Sequence, residues 1–173
     1  MEVCIAEITI LIAGLKNFYR GKCPLKSVFL DIINTLMDRK TLFIIDDDED
    51  DQLFLNEAMK DLNIPFECFY ANNGEVALKQ LKDEAIPLPD FIFLDLNMPK
   101  LNGKECLIEI RKLPRYSGVP LIIYTTSSNQ RDKQEIMQLG AHYFLTKPTR
   151  ISELCNCLLN VFSMDWSAPV KKN

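Results

Sequence analysis

A chain of 173 residues with 47% apolar and 25% charged side chains can build one core without disulfide or metal staples. Its net charge of −4 is uneven: residues 1–40 hold six Lys/Arg and four Asp/Glu, and residues 41–173 hold fourteen and twenty. An acidic body lacks the Lys/Arg surface that sequence-independent nucleic-acid binding needs, so no direct nucleic-acid partner is expected.

Residues 1–40 stand apart as an N-terminal extension. The apolar start, Met1 to Leu15, is interrupted by Glu2 and Glu7 and falls short of the about 20 residues a membrane helix takes. Neither a signal peptide nor membrane insertion is expected, and the expected setting is cytoplasmic. Val28, Phe29, Ile32, Ile33, Leu36 and Met37 share a helical face. Residues 26–38 are therefore either an extra docking or dimerising helix or an annotation artefact, with translation starting at Met37. The six cysteines are Cys4, Cys23, Cys68, Cys106, Cys155 and Cys157. They sit mostly in apolar runs. Cys155 and Cys157 lack the spacing of a zinc or redox pair, and one histidine is too few for a Cys/His metal site. Reduced core thiols are the expectation.

From residue 41 two textures alternate. Leu42–Ile45, Phe66–Tyr70, Phe91–Leu94, Leu121–Tyr124 and Tyr143–Leu145 are short apolar runs, most of them continuous, as in parallel strands buried on both faces. Between them Leu55, Ala58, Met59 and Leu62 share a helical face. So do Leu78 and Leu81, then Cys106, Leu107 and Ile110, then Leu154, Leu158 and Phe162. Five βα units predict an α/β fold: a doubly wound, flavodoxin-like, five-stranded parallel sheet flanked by five helices. Ligands of such sheets bind beyond the carboxyl ends of the strands, so the residues to inspect follow Ile45, Leu94, Tyr124 and Leu145.

After strand one runs Asp46-Asp47-Asp48-Glu49-Asp50-Asp51. Asp50 and Asp51 are expected only to favour a helix N-terminus. An EF-hand reading of Asp46, Asp48, Asp50 and Glu57 fails, because Asp51 stands where glycine is needed and a strand precedes. Asp46 and Asp47 suit a divalent cation, and oxygen ligands suit Mg²⁺. Strand three ends in Asp95-Leu96-Asn97-Met98-Pro99, and Asn102-Gly103 behind it suggests a turn. A carboxylate at Asp95, opposite Asp46 and Asp47, can be a nucleophile toward phosphorus once a metal neutralises the crowded charge. After strand four, Thr125 can donate to a phosphoryl oxygen, while Ser127 or Ser128 caps the next helix. Thr126 replaces Thr125 if strand four ends one residue later. After strand five, Lys147 is placed to pair with the acids, and Pro148 sits where a cis bond is admissible.

These residues, in this order and each after a strand, resemble the response-regulator receiver family over roughly residues 41–163, leaving 164–173 as a C-terminal tail. The resemblance implies that Asp95 is the phosphoacceptor. It implies that Asp46, Asp47, Asp95 and the Asn97 carbonyl organise Mg²⁺, and that Lys147 pairs with phosphate. Thr125 is implied as the switch hydroxyl and Phe144 as the aromatic switch, with Tyr143 its neighbouring alternative. The implied partners are a sensor histidine kinase or histidine phosphotransfer protein and a downstream protein target. A dimer through the helix 4–strand 5–helix 5 face is a further expectation. The expected activity is that of a switch, not an enzyme beyond self-catalysed phosphotransfer and autodephosphorylation, and no output domain is evident. Two alternatives stand beside it: a receiver-like interaction module that is never phosphorylated, and a Mg²⁺-dependent phosphatase of the haloacid dehalogenase kind. The second needs an acid where Asn97 stands.

Overall fold

In the computed structural model, residues 39–99, 101–127 and 129–166 are described. The expected helix at 26–38 and the Met37 start lie outside the described residues. Strands β1 (Lys40–Ile45), β2 (Phe66–Ala71), β3 (Phe91–Leu94), β4 (Leu121–Thr125) and β5 (Tyr143–Thr146) alternate with helices α1 (Glu49–Asp61), α2 (Gly74–Lys82), α3 (Gly103–Arg111), α4 (Gln130–Gln138) and α5 (Ile151–Ser163). A 3₁₀ turn, Pro114–Tyr116, lies between α3 and β4. The sheet is wholly parallel, in the order β2-β1-β3-β4-β5. This is the doubly wound, flavodoxin-like order, with its switch point between β1 and β3.

Burial explains why the strands are apolar throughout. Every residue of β3 and β4 is buried, while β2 at one edge is mostly half-buried. Phe43, Ile45, Ile92, Leu94, Leu121 and Ile123 form one core with Ala77, Leu81, Leu107, Ile110 and Ile136 from α2, α3 and α4. Helices α1 and α5 pack together on the opposite face, burying Leu55, Ala58, Met59, Leu154, Leu158 and Phe162. Each fully buried Leu, Ile, Met or Phe contributes roughly 1.5–3 kcal/mol of transfer free energy. The four expected helical faces are all buried. After α5 the chain turns back: Trp166 stacks edge-on against Phe91, His142 and Tyr143 and donates its indole N–H to Val161 O at 2.9 Å.

Side chains set the helix starts. Asp48 caps α1 and Asn73 caps α2. Asn102 and Glu105 form a reciprocal capping box on α3. The Asn102-Gly103 pair is therefore a cap and a first helical residue rather than a free turn. Gly103 is needed there for close approach, because a Cβ would stand 2.3 Å from Asp95 O and 2.6 Å from Leu96 Cα. Helix α4 is capped by Asn129, which accepts from Arg131 N, and not by Ser127; Ser128 lies outside the described residues. Asn129 directly precedes the first helical residue, where its short side chain folds back onto the second-residue N–H. No cis peptide occurs among the described residues, so the bond to Pro148 is trans, the lower-energy isomer of an X-Pro bond.

Candidate functional site

The backbone ladder delivers the acids. Asp46 N donates to Ala71 O at 3.0 Å and Asp95 N to Ile45 O at 2.9 Å, so both residues leave their strands side by side at the sheet's carboxyl edge. One carboxylate oxygen from each of Asp46, Asp47 and Asp95 lies within 4.8 Å of the others. Asp46 is 1% and Asp95 5% exposed, while Asp47 faces solvent. Asp95 Oδ2 accepts from Asn97 N at 3.1 Å. Asp95 Oδ1 is buried and has no hydrogen-bond partner. A buried acceptor left open costs about 1–3 kcal/mol, more when charged. Three convergent carboxylates and one open oxygen fit a small divalent cation, whose preferred ligands are oxygens.

Lys147 enters from the end of β5, where its N–H donates to Thr125 O at 2.8 Å. Its ammonium lies 2.8 Å from Asp46 Oδ2, 2.6 Å from Asp51 Oδ2 and 3.9 Å from Asp95 Oδ1. The Tyr124 ring lies beneath it, 5.3 Å from the centroid. Burial lifts the Asp46 carboxyl above its ordinary value, against the bonds from Lys147 and from Asp48 N. Burial also presses the Lys147 pKa down, but its bonds to Asp46 and Asp51 and the charges of Asp46 and Asp95 carry it above the ordinary value. The lysine is the cation here, because two short contacts from one Nζ need N–H donors on nitrogen and ionised oxygens as acceptors.

Asn97 and Thr125 meet beside this group. The Asn97 amide nitrogen lies 3.4 Å from Thr125 Oγ1 and 3.5 Å from Thr126 Oγ1. Strand β4 runs one residue past the apolar run, through Thr125, which is the condition that favoured Thr126; yet Thr125 is fully buried and Thr126 exposed. Phe144 is 8% exposed in the core cluster, with the Lys133 ammonium 5.8 Å from its ring centroid. Tyr143 is half-buried.

Sequence reasoning missed Asp51, which it read only as a favourable first-turn acid. The available signal was position: Asp51 falls in the first turn of the helix that opens directly after Asp46 and Asp47. Gln52 adds a bond of 2.8 Å from its side-chain amide to Asp46 O, tying the start of α1 to the site.

Residues 42–159 match the response regulator receiver domain, and the chain belongs to that family. Response regulator Rcp1 of Synechocystis sp. is 31% identical over 119 residues, which cover 66% of this chain and 81% of Rcp1. The solved Mn²⁺-bound form of response regulator Rcp1 aligns with a TM-score of 0.64 at 29% identity, covering 72% of this chain and 93% of that one. The phosphorylated cyanobacterial phytochrome response regulator RcpA aligns with a TM-score of 0.65 at 28% identity, covering 72% and 91%. The chain also matches longer proteins, of one of which it spans 8%. Among the described residues no helix is long and apolar enough to cross a membrane.

Proposed function

We propose that this chain is a cytoplasmic phosphoacceptor switch that takes a phosphoryl group on Asp95 from a phosphohistidine of a sensor histidine kinase or histidine phosphotransfer protein. The observation that carries the reading is the buried, unpartnered Oδ1 of Asp95, with two carboxylates and an ammonium around it. Asp46, Asp47, Asp95 and the Asn97 carbonyl are the residues that would hold Mg²⁺, which supplies charge to screen the carboxylates and the incoming phosphoryl oxygens. That one solved relative carries Mn²⁺ and another is phosphorylated supports the same reading.

The protein's own groups do the rest. Asp95 Oδ1 attacks phosphorus in line as the opposite P–N bond breaks, and the bonding pair leaves with the donor imidazole. Lys147 neutralises one phosphoryl oxygen. Thr125 Oγ1 can accept from the Asn97 amide and from Ser127 N at 3.4 Å, which leaves its own proton to donate to a second oxygen. A pull on Thr125 is passed to the loop leading into α4, and the α4–β5–α5 face is where a protein target or a second copy would read the change. Catalysis is confined to the chain's own phosphorylation and dephosphorylation.

The test is incubation of the full chain with Mg²⁺ and acetyl phosphate. The expected result is one acid-stable, hydroxylamine-labile phosphate per chain, absent in Asp95→Asn. Failure to label, with no spectral shift on adding beryllofluoride, would instead identify an unphosphorylated interaction module.

A further inference from the structure

An ammonium has three N–H donors on a flexible stem, so a lysine that must meet one particular oxygen has to be held. Lys147 is held on several sides. Asp46 Oδ2 is at 2.8 Å, Asp51 Oδ2 at 2.6 Å, and the Tyr124 ring lies underneath. The remaining charged neighbour is Asp95 Oδ1 at 3.9 Å, beyond hydrogen-bond reach but close enough for an oxygen carried on Asp95 to meet the ammonium. Asp46 is fixed by the sheet ladder. Asp51 comes from the first turn of α1, which Asp48 caps and Gln52 ties to Asp46 O. The Asp51 side chain is 31% and that of Lys147 6% exposed, so the bond is shielded on the lysine side and partly open to water on the aspartate side.

Resting on the phosphoacceptor reading, we propose that Asp51 is a positioning residue for phosphoryl transfer. With Asp46 it occupies two donors of Lys147 and leaves the third facing the oxygen that becomes phosphorylated. A first-turn acid with only a helix-end role would favour α1 slightly and would leave the chemistry untouched.

The experiment follows the rate of acetyl phosphate labelling at saturating Mg²⁺ for wild type, Asp51→Asn and Asp51→Ala, alone and with Lys147→Ala. A thermal melt of each protein reports stability separately. Asp51→Ala should slow labelling about tenfold, the size of one charge-assisted hydrogen bond. Asp51→Asn keeps an acceptor oxygen in place and should lose only about threefold, since a neutral acceptor is roughly half as strong. The Mg²⁺ concentration at half-maximal rate should stay within about twofold, Asp51 being partly exposed and screened. In the Lys147→Ala protein, Asp51→Ala should cost nothing further, because the lost interaction is the shared one. Wild-type rates in Asp51→Ala, or an undiminished loss without Lys147, would overturn the proposal. A wild-type chain that takes no phosphate would overturn the phosphoacceptor reading, and this one with it.

Discussion

The two ends of the sheet each hold a polar cluster, part-buried at the amino end and centred on buried acids at the carboxyl end, and they are built on opposite terms. At the amino end, Arg111 Nε donates to Gly140 O at 2.8 Å, and its NH1 donates to Tyr116 O and Val119 O at 3.1 and 3.2 Å. Its NH2 meets His142 Nδ1 at 2.7 Å, and the same ring nitrogen accepts from Leu121 N at 3.2 Å. Gly140, at φ +104, gives its carbonyl to this cluster from the end of α4. Every partner there is matched. At the carboxyl end Asp46, Asp51 and Asp95 crowd one lysine with Asp47 beside Asp46 and Asp95, and the buried Oδ1 of Asp95 has no hydrogen bond. The first arrangement closes the fold; the second leaves unspent binding capacity where a cation and a phosphoryl group would fit.

Substitutions should separate the two ends. Arg111→Ala strips donors from three carbonyls and from His142, and should cost about 3 kcal/mol in a urea melt. Labelling of the folded fraction should persist. Gly103→Ala drives a Cβ into the Asp95 backbone and should break the contrast by damaging both stability, by about 2 kcal/mol, and labelling. Asp95→Asn should abolish labelling yet raise stability by about 1 kcal/mol, because it relieves repulsion among the acids. The last effect is a pH dependence at the amino end. Burial, then the charge of Arg111, lowers the His142 pKa from 6.5 to about 4. The unfolded chain then binds the extra proton first, so this contribution to stability is intact above about 6.5 and is lost as pH falls toward 4. Discounted for partial exposure, it amounts to about 1–2 kcal/mol, and His142→Asn should flatten that part of the stability–pH curve.

Legibility followed burial. Strands hidden on both faces must be apolar throughout, so β1, β3 and β4 could be read from Leu42, Phe91 and Leu121 onward. The acids and lysine at their ends stood out against that background. What escaped depends on contacts that strand periodicity does not encode. Asp51 reaches Lys147 only because α1 folds back over the site. Strand β4 continues through Thr125 because Thr125 pairs with Thr146 in the ladder, a partnership no apolar pattern signals. Asn129 rather than Ser127 caps α4 because the helix begins later than the strand's end suggests.

Helix α4 carries the last consequence. Among its residues with described side chains, Ile136 alone is buried. Its outer turns are tied to α3 by Lys104, which meets Glu135 at 2.7 Å and Asp132 at 3.4 Å across partly exposed side chains. Anchored by Ile136, the half-buried Met137 and screened ion pairs, α4 has a smaller local opening free energy than the doubly covered β3. Its amides should exchange with solvent deuterium well before those of β3, and faster still as salt weakens Lys104's hold.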